Sequence, residues 1–250
     1  MSTPPLPHVA VVGSGVAGAS TAFALARRGV PVTVVDADRA GVATAAGAGI
    51  VQPWSSSSSG PYYELYAEGA AYYPTLLERL SSAGTAAVDF RRTGSLVVSP
   101  NPAELDEAEE RIRRRTAGSD VAGTVERVDE AGARRLFPPL APGLAALHVT
   151  GGARVDGRSL RQGLLQAAAA RGARTVRGNA TVTGGGTVQV DGEPLAADAV
   201  VLAAGAWTAE LLQPVGVELG LAPQRGQITH LRLEGVDTSS WPSVLPLTGH

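Results

Sequence analysis

The 250-residue chain contains no cysteine and no lysine; all 21 of its basic residues are arginine. Without cysteine there are no disulfides, no thiolate nucleophile, no cysteine-bound metal or iron–sulfur centre, and no cysteinyl link to a cofactor within these residues. Without lysine, Schiff-base chemistry and a P-loop lysine are also excluded. The skew towards Arg, Ala and Gly fits codon bias rather than function. Net charge is −2, so neither nucleic acid nor an anionic membrane surface is indicated as the main partner. No apolar run approaches the roughly 18 residues of a membrane span. The opening MSTPPLPH lacks the basic-then-apolar order of a secretory signal. A cytoplasmic protein is therefore the default expectation. Hydrophobic content of 44% beside 18% charged residues is ordinary for a globular protein with a sizeable core. The length suits one large domain or two ordinary ones.

The most informative stretch is HVAVVGSGVAGASTAFALARRGVPVTVVDAD, residues 8–38, which reads as a complete βαβ nucleotide-binding unit. An apolar run from Val9 to Val12 enters a turn carrying Gly13, Gly15 and Gly18. A helix follows to Gly29, and a second apolar run, Val32 to Val35, ends at Asp36. Gly13 permits the tight turn, Gly15 lets backbone approach a pyrophosphate, and Gly18 lets helix and strand pack closely. The helix N-terminus offers free N–H groups and a positive dipole end to phosphate. Asp36, about 20 residues on, is spaced to accept hydrogen bonds from ribose hydroxyls. A bare GxGxxG is weak in a chain with 31 glycines; strand, helix and acid together make it strong.

Beyond Asp36, the small-residue loop AGVATAAGAGIVQP at 40–53 is too glycine-rich for a regular helix. The tract Ser55 to Ser59 reads as a flexible connection. Residues 61–82 have helical periodicity, with Pro61 in the first turn and Pro74 kinking or splitting the segment. Residues 90–100 read as a strand or hairpin. Residues 102–115 read as a solvated helix with acids early and arginines late. A strand, a short helix and a proline stop follow. Residues 144–176 give a strand, a loop and a long helix capped by Gly172. The turn signals at 184–186 and 191–192 punctuate a meander of short strands. The apolar strand Ala199 to Ala203 runs into Gly205 as a buried parallel strand would, and residues 223–233 read as a further strand. A nucleotide fold thus starts, is interrupted, and resumes near residue 150. The expected fold class is α/β (α+β overall), a Rossmann-like domain over 1–80 and 151–222 with an interleaved antiparallel-sheet domain over 81–150 and 223–250.

Three segments together resemble the FAD-dependent amine and amino-acid oxidoreductases typified by D-amino-acid oxidase and glycine oxidase: the βαβ unit, ATAAGAGIVQPW at 43–54, and DAVVLAAGAWT at 198–208. VDGRSLRQGLLQAAAARGA at 155–173 and PQRGQ at 223–227 fit the same layout. The resemblance implies non-covalent FAD. Gly13, Gly15, Val16, Ala17 and Gly18 would cradle its pyrophosphate, and Asp36 and Ala37 would meet the adenosine ribose. Ala43 and Thr44 would lie along the dinucleotide, with Ala48, Gly49 and Ile50 beneath the isoalloxazine ring. Ala180 would contact the adenine through its backbone, and Ala204, Gly205 and Ala206 would close over the pyrophosphate. Small residues suit the ring because backbone N–H groups can then approach and stabilise a reduced, anionic flavin.

The implied reaction is oxidation of an amine or α-amino-acid C–N bond by hydride transfer to flavin, giving an imine that hydrolyses. Electrons would then pass to oxygen or another acceptor, and a homo-oligomer is compatible with the layout. An NAD-dependent dehydrogenase is the rival that Asp36 would equally suit; residues 43–50 and the AAGAW turn favour FAD. Family members run substantially longer, and the carboxylate-binding arginine, a tyrosine and a late glycine-rich segment would follow residue 250. A truncated chain is therefore expected, with an inert dinucleotide-binding fragment as the other alternative. No catalytic side chain is nominated and no metal site is expected. Tyr62, Tyr63, Tyr66, Tyr72 and Tyr73 could line a substrate path, but their helical spacing favours packing. His8, His148 and His230 lack metal-ligand spacing and read as structural. Arg91 and Arg92 could bind a carboxylate, an exposed strand-end role being the plainer reading. Gln52 and Trp54 follow the flavin loop without an assigned role.

Overall fold

The computed structural model describes residues 6–247. The first half of the chain forms β1 (Val9–Val12), α1 (Val16–Ala26), β2 (Val32–Asp36), α2 (Ala43–Ala46), β3 (Ile50–Val51), α3 (Gly60–Ser82), β4 (Phe90–Arg92), β5 (Ser95–Ser99), α4 (Pro102–Thr116) and β6 (Val125–Val128). The second half continues with α5 (Glu130–Leu136), β7 (Ala145–Val149), β8 (Ala153–Val155), α6 (Gly157–Ala169), β9 (Arg174–Arg177), β10 (Ala180–Val182), β11 (Val188–Val190), β12 (Glu193–Leu195), β13 (Ala199–Leu202), α7 (Thr208–Leu212) and β14 (Ser243–Pro246). The chain divides into two compact units. One takes the N-terminal residues to Gly47, then Glu78–Val88 and Gly157–Thr229. The other takes Ala48–Leu77, Asp89–Asp156 and the residues from His230 on.

The first unit is built on a parallel sheet ordered β13-β1-β2-β9. Its centre is apolar on both faces: Val9, Ala10, Val11, Val12, Val32, Val34 and Val35 are buried, the composition a parallel sheet with covered faces requires. Helix α1 buries Gly18, Ala19, Ala22, Phe23 and Ala26 and packs along α6, which buries Leu160, Gly163, Leu164, Ala167 and Ala168. Small residues at this contact bring the two helix axes close. The β10-β11-β12 meander is antiparallel. Its second turn carries positive φ at both Asp191 (49°) and Gly192 (89°), the type I′ signature of two-residue hairpins. His8 ties the start of β1 down: its N–H donates to Asp198 Oδ2 at 2.7 Å and its ring nitrogen lies 2.9 Å from Thr33 Oγ1.

The second unit contains a sheet ordered β14-β5-β7-β6, antiparallel except for the β14–β5 pair, and an antiparallel sheet ordered β3-β8-β4. Leu96, Val98, Ala133, Leu140 and Ala146 form a core cluster there. Helices α4 and α5 start on side-chain caps from Asn101 and Asp129, each satisfying an otherwise orphaned N–H.

Five expectations change. Residues 43–46 do form one helical turn, α2. Helix α3 runs unbroken through Pro74, so the lost backbone bond is tolerated without splitting the segment. Phe90–Arg92 and Ser95–Ser99 are not a hairpin, because they pair in different sheets. Residues 223–233 join no ladder among the described residues, so their strand-like pattern finds no pairing partner there. The segment 48–77 belongs to the second unit rather than the first, because β3 is hydrogen-bonded to β8.

Candidate functional site

The end of β1 cannot be anything but a glycine turn. Gly13 sits at φ +100°, and a Cβ there would collide with the Ala203 carbonyl; a Cβ on Gly18 would overlap the Gly13 carbonyl. Gly15 is less constrained, its added Cβ meeting Thr44 Oγ1 at 3.3 Å. The turn is closed by Gly13 N–H donating to Val35 O at 2.8 Å. Thr44 Oγ1 accepts from the Val16 N–H at 2.9 Å, which leaves its own hydrogen free to donate. The N–H groups of Gly15 and Ala17 have no partner among the described residues and remain as orphan donors at the start of α1.

At the end of β2, Asp36 is wired to the same turn. Its Oδ2 accepts from the Ser14 N–H at 2.6 Å and the Ser14 hydroxyl at 2.5 Å, and its Oδ1 accepts from the Asp38 N–H at 2.7 Å. Burial alone would raise the Asp36 pKa. The Ser14 hydroxyl, the Asp38 and Ser14 N–H groups and the Arg161 charge outweigh it and hold the carboxyl below the usual carboxylate value. An ionised carboxylate offers about four acceptor positions, so one remains for an incoming hydroxyl.

These groups border a cavity of about 430 Å³ in the first unit. Its walls include Gly13, Gly15, Val16, Ala17, Asp36, Ala37, Ala43, Thr44, Ala180, Ala204, Gly205 and Ala206. Gly18 stands behind the turn as a packing residue. The donor set, the wall of glycines and small side chains and the ionised acceptor fit a dinucleotide. Ala48, Gly49 and Ile50 lie in the second unit, outside this cavity. There Gly49 (φ +67°) accepts from the Val155 N–H at 2.9 Å, and its own Cβ would strike the Val155 carbonyl. Ile50 begins β3 half-exposed, opposite Arg154.

Sequence reasoning missed several wall residues. Ser14 is fully buried between Asp36 and Arg161. Arg39 stacks 5.6 Å over the Trp207 ring and pairs with Glu210 at 3.2 Å, so three rim residues support one another. A polar Ser inside a glycine turn was the one local signal; the arginines had none.

The tyrosines divide: Tyr73 stacks on Phe90 at 5.0 Å, Tyr63 lies under the Arg115 guanidinium at 4.1 Å, and Tyr62 and Tyr72 are exposed. Arg91 pairs with Asp89 at 2.9 Å. His148 is half-buried, with burial pushing its pKa down, and His230 is exposed. Among the described residues no cluster of metal-ligating side chains occurs and no helix is long and apolar enough to cross a membrane.

A parallel sheet, a glycine turn and an acid at the end of the second strand define a dinucleotide-binding protein of the Rossmann type. Residues 8–249 match the family model described as DAO, FAD dependent oxidoreductase, and the chain belongs to that family, whose cofactor is FAD. The iminodiacetate oxidase (IdaA) of Chelativorans sp. BNC1 superposes with a TM-score of 0.91 at 43% identity, over 96% of this chain and 66% of that one. The uncharacterized oxidoreductase YurR of Bacillus subtilis (strain 168) is 41% identical over 94% of this chain and 65% of its own length. The glycine oxidase of Geobacillus kaustophilus (strain HTA426) is 30% identical over 90% of this chain and 61% of its own. The chain thus spans about two thirds or less of the length of these relatives.

Proposed function

We propose that the protein oxidises the carbon–nitrogen bond of an amine or α-amino acid, with the first unit holding FAD and the second forming the substrate domain. The observation that carries this reading is the match of residues 8–249 to the FAD-dependent oxidoreductases, combined with a cradle whose donors and acceptor suit that cofactor. Relatives named as a glycine oxidase and an iminodiacetate oxidase support that substrate class. An NAD-dependent dehydrogenase has no such support.

The chain's own residues hold and orient. The free N–H groups of Gly15 and Ala17 and the Thr44 hydroxyl meet the pyrophosphate, with the α1 dipole behind them. Asp36, ionised at neutral pH, accepts from a ribose hydroxyl. Ala180 and the turn Ala204–Ala206 contribute backbone without bulk. FAD, when bound, would supply the two-electron acceptor for the hydride of the carbon bearing the nitrogen, with oxygen or another compound as the final acceptor. The substrate, having lost hydride and an N–H proton, is an imine, which water converts to a carbonyl compound and ammonia or an amine.

The test is anaerobic mixing of the FAD-loaded full-length protein with glycine, sarcosine, iminodiacetate and D- and L-amino acids. Bleaching of the flavin absorbance with formation of the carbonyl product is expected for at least one of them. A bound flavin that none of them bleaches would sink the reading in favour of an inert dinucleotide-binding protein.

A further inference from the structure

Helix α6 places Arg161 beside the glycine turn from 147 residues away in sequence. Its Nε donates to the Ser14 carbonyl at 2.7 Å, and its Nη2 donates to the Ser14 hydroxyl oxygen. The fork therefore grips one residue twice. Ser14 is completely buried and passes the contact on, its hydroxyl and its N–H both donating to Asp36 Oδ2. We propose that Arg161 is a positioning residue for the dinucleotide, acting through Ser14 on both the ribose acid and the glycine turn; the proposal rests on FAD occupying the cradle of the first unit.

Two consequences follow from elementary geometry. A serine hydroxyl has one hydrogen, and with Arg161 donating to its oxygen that hydrogen is committed to Asp36. The carboxylate is thereby kept ionised and fixed in rotation, with its remaining acceptor position available to a ligand. The Ser14–Gly15 peptide is planar and trans, so aiming its carbonyl at Arg161 aims the Gly15 N–H the opposite way. Gly15 is one of the orphan donors of the cradle. Arg161 lies in a cleft of about 450 Å³ with Arg158, Gln162 and Gln166, which shares Ser14, Gly15, Asp36 and Thr44 with the 430 Å³ cavity. Its hydrogen bonds go to Ser14, so its hold on the cradle runs through that residue.

The other charged groups around Asp36 are already engaged or idle. Asp38 pairs with Arg177 at 3.0 Å and Arg39 with Glu210. Arg158, one turn before Arg161 on α6, has no hydrogen bond or ion pair among the described residues. Arg158 is thus the natural control.

The deciding experiment measures the FAD dissociation constant by flavin fluorescence between pH 4.5 and 8 in the full-length protein. The variants are Arg161→Met, Ser14→Ala, the double variant and Arg158→Met. Arg161→Met and Ser14→Ala should each weaken binding by about tenfold at neutral pH, the size of a lost charge-assisted hydrogen bond. Each should also move the acid limb of the profile to higher pH, because Asp36 then protonates more easily. The double variant should be no worse than the poorer single, and Arg158→Met should match the parent protein. If Arg161→Met does not fold, Arg161→Lys carries the same test, retaining the charge but only one of the two bonds, with a partial shift expected. An equal loss of affinity at every pH, or single effects that simply add, would overturn the proposal. A parent protein that binds no FAD would instead overturn the cofactor reading on which it rests.

Discussion

The turn Gly13–Gly18 and the stretch 217–236 are both largely irregular backbone, and they spend their hydrogen-bonding groups in opposite ways. In the turn, the N–H groups of Gly13, Ser14 and Val16 are committed to Val35, Asp36 and Thr44, and the Ser14 carbonyl to Arg161. The donors left over are those a phosphate needs. In 217–236 the apolar side chains Val217, Leu219, Leu221, Ile228, Leu231, Leu233 and Val236 are all exposed, Leu231 by 82%. Irregular backbone is therefore not one physical state. The first segment is preorganised by long-range contacts and is ready for a ligand; the second has the composition of a strand and no ladder among the described residues.

The contrast can be broken most severely at Gly18. Gly18→Val inserts a branched side chain into the Gly13 carbonyl and should cost about 3 kcal/mol or more, read as a large drop in Tm and loss of FAD binding. Asp36→Asn should fold and yet weaken FAD binding by roughly 10- to 100-fold, since it replaces a charged acceptor with a neutral one; fluorescence titration checks this. The same variant has a pH signature. The folded-state pKa of Asp36 is lowered, so its stabilising contribution is fully present above the ordinary carboxylate value of about 4 and is lost as pH falls through the lower folded value. Acid titration of the parent should therefore show a steeper loss of stability below about pH 4 than Asp36→Asn.

A milder probe lies in the second unit, where the Arg115 guanidinium donates to the carbonyls of Trp54, Ser56 and Ser58 at 3.2, 2.6 and 2.5 Å. Arg115→Met should cost about 1–2 kcal/mol and raise hydrogen exchange selectively over residues 54–58. The smallest effect belongs to the exposed stretch. Leu231→Ser should change the stability of this chain by less than about 0.5 kcal/mol, as thermal unfolding would show. A larger loss in a longer form of the protein would mean that further chain covers this side chain.

The βαβ unit was legible because most of what dictates it is local: strand, turn, helix and acid fall within residues 8–38, Gly13 and Gly29 answer to a positive φ, and Gly18 to a clash with the Gly13 carbonyl. Ser14 and Arg161 were not legible together, because the bond joining them spans 147 residues and an arginine on a helix face has many equivalent uses. Trp207 and Arg39 failed for the same reason. Residues 223–233 failed differently: a strand pattern states a preference that is realised only when a neighbour supplies the ladder. That 48–77 groups with the second unit was not legible, because Ile50 and Val51 pair with β8, a partner that no local pattern announces.

The place of β1 in its sheet bears on how the chain is made. Its neighbour on one side, β2, follows after a single helix; its neighbour on the other, β13, starts at Ala199, and His8 waits 190 residues for Asp198. At a synthesis rate of roughly 5–20 residues per second, the apolar edge of the first strand emerges about 10–40 s before its second partner exists. During that interval the apolar strand β1 belongs to a half-finished sheet. Production of the protein should therefore respond to chaperone supply and translation speed more than its final stability would suggest.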